Sequence, residues 1–158
     1  MILVSLMDLD KDLVLGYWEE FRDHGEKENV LWELESTDID SYYHSKKNDL
    51  RNRRFGLMVG DRLVGMLRIS IKVNYPANGM IGYSIRPSER GKGYGKAIVA
   101  EALIKCICSG ILPVTACVWE KNKVSLHILK GCGFTETGTV YDWIPNPEPR
   151  KAIELIFK

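Results

Sequence analysis

Residues 80–108 force a strand, a glycine turn and a helix into immediate succession. Met80 to Ile85 is an apolar run with strand-like alternation, and Ala97 to Cys108 carries apolar residues at helical spacing. Between them runs Arg86-Pro87-Ser88-Glu89-Arg90-Gly91-Lys92-Gly93-Tyr94-Gly95-Lys96, with three glycines in five residues. Glycine accepts positive φ and lets a backbone come close to a ligand. A helix starting there adds unpaired N–H groups and the positive end of its dipole. Such a turn suits an anion, most naturally a phosphate, and the Arg90 guanidinium has the fork to span two oxygens.

Spacing narrows the kind of phosphate. A triphosphate P-loop needs Gly, four residues, then Gly-Lys-Ser/Thr. Here Gly95-Lys96 is followed by Ala97, and Arg90 stands where the first glycine belongs. The dinucleotide fingerprint needs Gly-x-Gly-x-x-Gly and an acid about 20 residues on. This turn is Gly-x-Gly-x-Gly and falls mid-chain after strands expected to be antiparallel, so that match is weak. What the chain carries is Arg-x-x-Gly-x-Gly, as Arg90-Gly91-Lys92-Gly93-Tyr94-Gly95.

The rest of the chain sets bounds. Its 158 residues suit one domain with one core, spanning 1–158. A formal charge of +1 gives no global pull on nucleic acid. Met1-Ile2-Leu3-Val4-Ser5 reads as a first strand and not as a signal peptide, and no apolar run is long enough to cross a membrane. Cys106, Cys108, Cys117 and Cys132 form no metal or disulfide framework; reduced thiols in a cytoplasmic protein is the plain reading.

Element by element, Ile2 to Ser5 is a strand and Lys11 to His24 a helix; Thr37-Asp38 caps a second helix running to about Leu50. Phe55 to Val59 and Leu63 to Val73 flank the hairpin turn Gly60-Asp61-Arg62, and residues 74–79 make a second turn into the Met80 strand. After the glycine helix, Gly110 is the stop signal, Pro113 to Val118 the next strand, and a crossover helix makes that strand parallel to its predecessor. A helix at Asn122 and strands near Thr135 to Trp143 and Ala152 to Phe157 close the chain, with Pro145, Pro147 and Pro149 between them. The expected fold is α/β, one central mixed, mostly antiparallel sheet flanked by helices.

A second block completes the pattern: Asn122-Lys123-Val124-Ser125-Leu126-His127-Ile128-Leu129-Lys130-Gly131-Cys132-Gly133-Phe134. An asparagine, a small residue three later and Gly-Phe closing the helix, downstream of Arg-x-x-Gly-x-Gly, resemble the two signatures of the GNAT superfamily of N-acetyltransferases. The resemblance spans nearly the whole chain. It implies a GNAT-like acyl-CoA transferase fold, acetyl-CoA as co-substrate, and transfer of an acetyl group to a primary amine of a small molecule or peptide. The other reading is a catalytically silent GNAT-fold module that binds acyl-CoA. The resemblance assigns coenzyme contacts to Ile85, Arg86, Arg90, Gly91, Lys92, Gly93, Tyr94, Gly95, Lys96, Asn122 and Ser125, and implies no metal. Asn122 can equally be a helix cap.

Three positions where the family often handles protons are occupied otherwise: Leu129, Cys117 and Gly79. Tyr83, four residues after Gly79, shares its face by strand periodicity and is the catalytic candidate; a packed core tyrosine is its other reading. His127 lies on a different helix face from Leu129. Between Glu19 and Asp40 the chain is rich in acids (Glu19, Glu20, Asp23, Glu26, Glu28, Glu33, Glu35, Asp38, Asp40) against Arg22 and Lys27. An acidic wall would draw a cationic amine, with Trp18, Trp32, Tyr42 and Tyr43 as aromatic walls; solvated faces and core aromatics are the alternative. Neither nucleic acid nor membrane is an expected partner, and homodimers are frequent among proteins of this resemblance.

Overall fold

The structure is a computed structural model that describes residues 1–26, 38–72, 77–143 and 150–158. Seven strands are joined in the order β1-β2-β3-β4-β5-β7-β6: β1 (Ile2–Ser5), β2 (Asn52–Val59), β3 (Arg62–Ile71), β4 (Gly79–Ile85), β5 (Val114–Trp119), β6 (Thr135–Trp143) and β7 (Arg150–Phe157). The helices are α1 (Lys11–Asp23), α2 (Ile39–Lys47), α3 (Tyr94–Cys108) and α4 (Lys123–Gly131). The pair β4/β5 is parallel, as the α3 crossover requires, while β1/β2, β5/β7 and β6/β7 are antiparallel. The mixed, mostly antiparallel α/β sheet is therefore as expected.

Boundaries moved where polar residues hide the hydrophobic pattern. The α2 helix stops at Lys47 because Leu50 is exposed and offers no apolar face beyond it. Strand β2 begins at Asn52, where the Asp49 carboxylate accepts from the Asn52 N–H and from Arg54. Helix α3 starts at Tyr94, earlier than the apolar periodicity shows, so Gly95 lies buried in its first turn. Thr37, Trp32, residues 73–76 and the three late prolines lie outside the described residues.

The chain divides into two compact units, Met1–Arg68 with Tyr83–Tyr94, and Ile69–Gly82 with Gly95–Lys158. In the first, α1 presents Val14, Tyr17, Trp18 and Phe21, spaced i, i+3, i+4 and i+7, to a core shared with Tyr42, Tyr43, Met58, Leu63 and Met66. Each such burial is worth about 1.5–3 kcal/mol. Trp18, Tyr42 and Tyr43 are thus core residues, and the aromatic-wall expectation gives way to packing for them. The second unit buries Ile98, Val99, Ala102 and Cys106 of α3, Val114 and Ala116 of β5, Leu129 of α4 and Leu155 of β7. Its Phe134 and Phe157 rings lie 5.6 Å apart, beside Gly133 at φ +94°.

Candidate active site

The glycine turn is built as a cradle. Strand β4 ends at Ile85, Pro87–Glu89 makes a 3₁₀ turn, and Gly91 and Gly93 then take φ of +76° and +84° before α3 begins. An L side chain is strained at such φ. Among the described residues no atom lies within 4 Å of where a Cβ at Gly91 or Gly93 would stand, so the space against this backbone is open. The first N–H groups of α3 have no intrahelical acceptor and carry the positive end of its dipole. Open backbone, positive φ and a helix start together fit a pyrophosphate.

Arg86, Arg90 and Lys92 around the cradle are already partnered. Arg86 donates through Nε to Glu20 (2.5 Å), and through its other nitrogens to Gly16 O (2.8 Å) and Leu63 O (3.2 Å). Burial pushes the Glu20 carboxyl up, but the Ser88 N–H at 2.8 Å and the Arg86 guanidinium outweigh it and bring it down to about 2. Arg90 forks onto Glu26 at 2.9 and 2.7 Å and also donates to Ile85 O at 3.3 Å. That fork holds the Glu26 carboxyl below the ordinary range and raises Arg90. Glu89, buried beneath the turn, takes Lys92 at 2.8 Å and Arg62 at 2.7 Å, and Lys92 foremost lowers its carboxyl.

Five acids of the expected wall are spent in the same way. Glu20 and Glu26 face arginines, Asp38 caps α2 by accepting from the Ser41 N–H, Asp40 pairs with Lys11, and Asp23 sits 3.1 Å from Arg22. Lys27, Glu28, Glu33 and Glu35 lie outside the described residues.

In the second unit, Asn122 caps α4, its side chain accepting from the Ser125 N–H at 3.1 Å. Burial raises the Cys132 thiol, and Lys96, exposed on the first turn of α3, opposes that rise. Leu129 is wholly buried and His127 exposed. At Gly79, a Cβ would stand 2.7 Å from Ile111 Cγ2 and 3.1 Å from Ser70 O. No glutamate fits there. Tyr83 is half-buried on β4. The β4/β5 ladder consists of Gly79↔Val114 and Met80↔Thr115, and both strands continue beyond it.

One cluster was not anticipated from sequence. Glu154 on β7 is the cross-strand partner of Cys117 on β5. It accepts from Thr137 Oγ1 and from Tyr141 OH, both at 3.0 Å. Strand β6 bulges between Glu136 and Val140, placing Thr137, Gly138 and Thr139 against Glu154 alone. Burial foremost, then the Glu154 charge, raises the Cys117 thiol, and Lys72 opposes them. The signal available was a single acid inside Ala152-Ile153-Glu154-Leu155-Ile156.

A mixed sheet with a glycine anion cradle between strand and helix is the frame of an acyl-CoA-dependent transferase. The sequence matches the Acetyltransferase (GNAT) family over residues 13–134, and the chain belongs to that family, whose members are acyltransferases using acetyl-CoA. Solved structures share the fold. A spermidine N-acetyltransferase from Vibrio cholerae in complex with CoA and spermine is 19% identical, with TM-score 0.74, covering 99% of this chain and 94% of that one. Ribosomal-protein-alanine N-acetyltransferase from Brucella melitensis is 13% identical, with TM-score 0.77 and 99% of both chains covered. An acetyltransferase of the GNAT family from Streptococcus pneumoniae is 14% identical, with TM-score 0.70, covering 99% and 98%. No curated protein matches the chain. Among the described residues no helix is long and apolar enough to cross a membrane, and none of their His, Cys, Asp and Glu side chains group as metal ligands.

Proposed function

We propose that the protein transfers the acetyl group of acetyl-CoA to a primary amine of a small molecule or peptide, in a direct ternary complex. The observation that carries this reading is the open backbone at Gly91 and Gly93 running into α3. There the amides of Arg90 to Lys96, including Tyr94 and Gly95, receive the pyrophosphate. Arg86 fixes the entry to the turn through Glu20, and Arg90 and Lys92 supply charge around it. Ile85 offers its strand edge to the pantetheine amides, and Asn122 and Ser125 at the start of α4 flank the coenzyme arm. Tyr83 lines the reaction centre. Bound acetyl-CoA supplies an activated acyl group; the chain's part is to hold it, orient the amine and take its proton.

A polyamine or another cationic amine is the favoured acceptor class, since several of the fold's solved neighbours are spermidine N-acetyltransferases. A cytoplasmic, homodimeric enzyme acting on a free metabolite or peptide fits this reading. Calorimetry with acetyl-CoA, CoA, ATP and NAD tests the donor, and thiol release across spermidine, lysine, an aminoglycoside and a peptide amine tests the acceptor. Binding of the coenzyme alone with turnover of at least one amine is expected. Absence of coenzyme binding at millimolar ligand defeats the proposal. Tyr83→Phe should lower kcat at saturating coenzyme; an unchanged kcat returns Tyr83 to packing.

A further inference from the structure

We infer that Glu20 is a positioning residue for the coenzyme's diphosphate, a protein-borne anion that holds the turn entering the cradle in one register. The inference rests on the coenzyme reading above. It concerns α1 and the turn at 86–94, which belong to one compact unit. Glu20 offers one carboxylate oxygen to the Ser88 N–H at 2.8 Å and the other to Arg86 Nε at 2.5 Å. The two side chains are only 19% and 13% exposed, so solvent ions screen this pair weakly.

Around that carboxylate the backbone donors are taken up one after another. Arg86 N–H donates to Val64 O at 2.9 Å, and Pro87 has no N–H to place. Ser88 N–H goes to Glu20, and Glu89 N–H to Arg86 O at 2.9 Å. Every N–H from Arg86 to Glu89 is thus satisfied inside the fold. Arg90 N–H reaches Pro87 O at 3.3 Å, the longest of these bonds, and the open glycine backbone begins one residue later. The Arg86 guanidinium is engaged as fully: besides Glu20 it serves Gly16 O and Leu63 O, and it lies 5.8 Å from the centre of the Tyr17 ring. Gly16 and Glu20 stand four apart on α1, so a single helix face meets the turn.

This arrangement bears on the ligand in two ways. A glycine turn has much freedom to lose when it closes on a phosphate. An anchor fixed during folding, immediately ahead of Gly91, removes part of that loss from the binding step. Secondly, a carboxylate already seated on Arg86 and Ser88 leaves a phosphate no rival place there, so the diphosphate is received by the amides that follow. Glu26 acts in the opposite sense. Its fork holds Arg90 at the cradle itself, whereas Glu20 works one turn upstream. Removing the two charges should therefore shift coenzyme affinity in opposite directions.

Glu20→Gln keeps the side chain's shape, can still accept from Ser88, and removes the charge that faces Arg86. A misplacement of about 1 Å in a binding site can cost about 10²-fold. By calorimetry the Kd for coenzyme A should rise about tenfold or more, while the Kd for pantetheine, which lacks the diphosphate, should match the wild type. Arg86→Lys keeps a positive charge without the three-way fork and should show the same split. Glu20→Ala leaves room for a small carboxylate, so acetate should recover coenzyme A affinity in that variant and leave the wild type unchanged at matched ionic strength. Circular dichroism confirms that each titrated sample is folded. Folded variants with the wild-type Kd for coenzyme A overturn the inference and leave the coenzyme reading intact. Equal losses for coenzyme A and pantetheine, or a loss in Glu20→Ala that acetate does not reduce, overturn it as well. A wild type that binds no coenzyme A at millimolar ligand overturns the coenzyme reading itself, and the role of Glu20 with it.

Discussion

Arg90 grips both carboxylate oxygens of Glu26, at 2.9 and 2.7 Å, beside the turn that is suited to a pyrophosphate. A carboxylate thus occupies the fork that a phosphate would use. On the proposed coenzyme reading the two ligands would compete for one set of donors, which makes the pair a measurable opponent of coenzyme binding.

Glu26→Gln should therefore tighten coenzyme A. Both side chains are substantially exposed, so the pair is worth about 0.5–1 kcal/mol, which corresponds to a two- to fivefold lower Kd. Calorimetric titration checks this. Equal or weaker binding would mean that Arg90 does not turn from Glu26 to the coenzyme.

Glu20 gives the fold an acid limit. Its carboxyl sits at about 2 in the folded chain against 4.5 unperturbed, so the unfolded chain takes up the proton first as pH falls. The stabilisation is complete above about pH 5 and fades down to pH 2. Glu20→Gln should cost about 2 kcal/mol at pH 7 and close to nothing at pH 2. Urea midpoints across that range decide it, and a difference that does not vary with pH would contradict the assignment.

Backbone strain and ligand approach can be separated at Gly93. Gly93→Ala forces a side chain into φ +84°, and Gly60→Ala does the same at φ +60° in the β2–β3 turn; neither added Cβ meets an atom of the described residues within 4 Å. Each should lose about 1–2 kcal/mol of stability. Only Gly93→Ala should also weaken acetyl-CoA, by at least tenfold. Equal coenzyme affinity in the two variants would remove the turn from the binding site.

Gly79 tests packing without φ strain. A methyl group there meets Ile111 at 2.7 Å and Val114 at 3.3 Å, so Gly79→Ala should destabilise by about 1–3 kcal/mol. Gly79→Glu should not give folded protein. A Gly79→Ala variant with the wild-type denaturation midpoint would show that Ile111 yields freely.

Sequence reached the scaffold because the scaffold is written in local terms. The Asp10-Lys11 start of α1, the Gly60-Asp61 turn and the glycines before α3 each carry their geometry within a few residues, whereas the buried face of α1 proved to be Val14, Tyr17, Trp18 and Phe21. Asn122 was open between cap and ligand; the structure shows the cap. The ion pairs were not legible, since Arg86 and Glu20 stand 66 positions apart and nothing local joins them. Glu154 was missed for the same reason. Its significance depends on pairing with Cys117 and on a bulge that no short motif announces.

That bulge also fixes the phase of the last hairpin. Glu136 pairs with Leu155 and Val140 with Ile153, so β6 carries two residues more than its partner across this stretch. An even surplus leaves alternation in step, and Tyr141 emerges opposite Ala152, on the face of Glu154. Deleting one residue, Gly138 for example, would make the surplus odd and send every side chain from Val140 onward to the opposite face. The hairpin thus tolerates length changes in twos and not in ones, a parity rule on how insertions and deletions can accumulate near the chain's end.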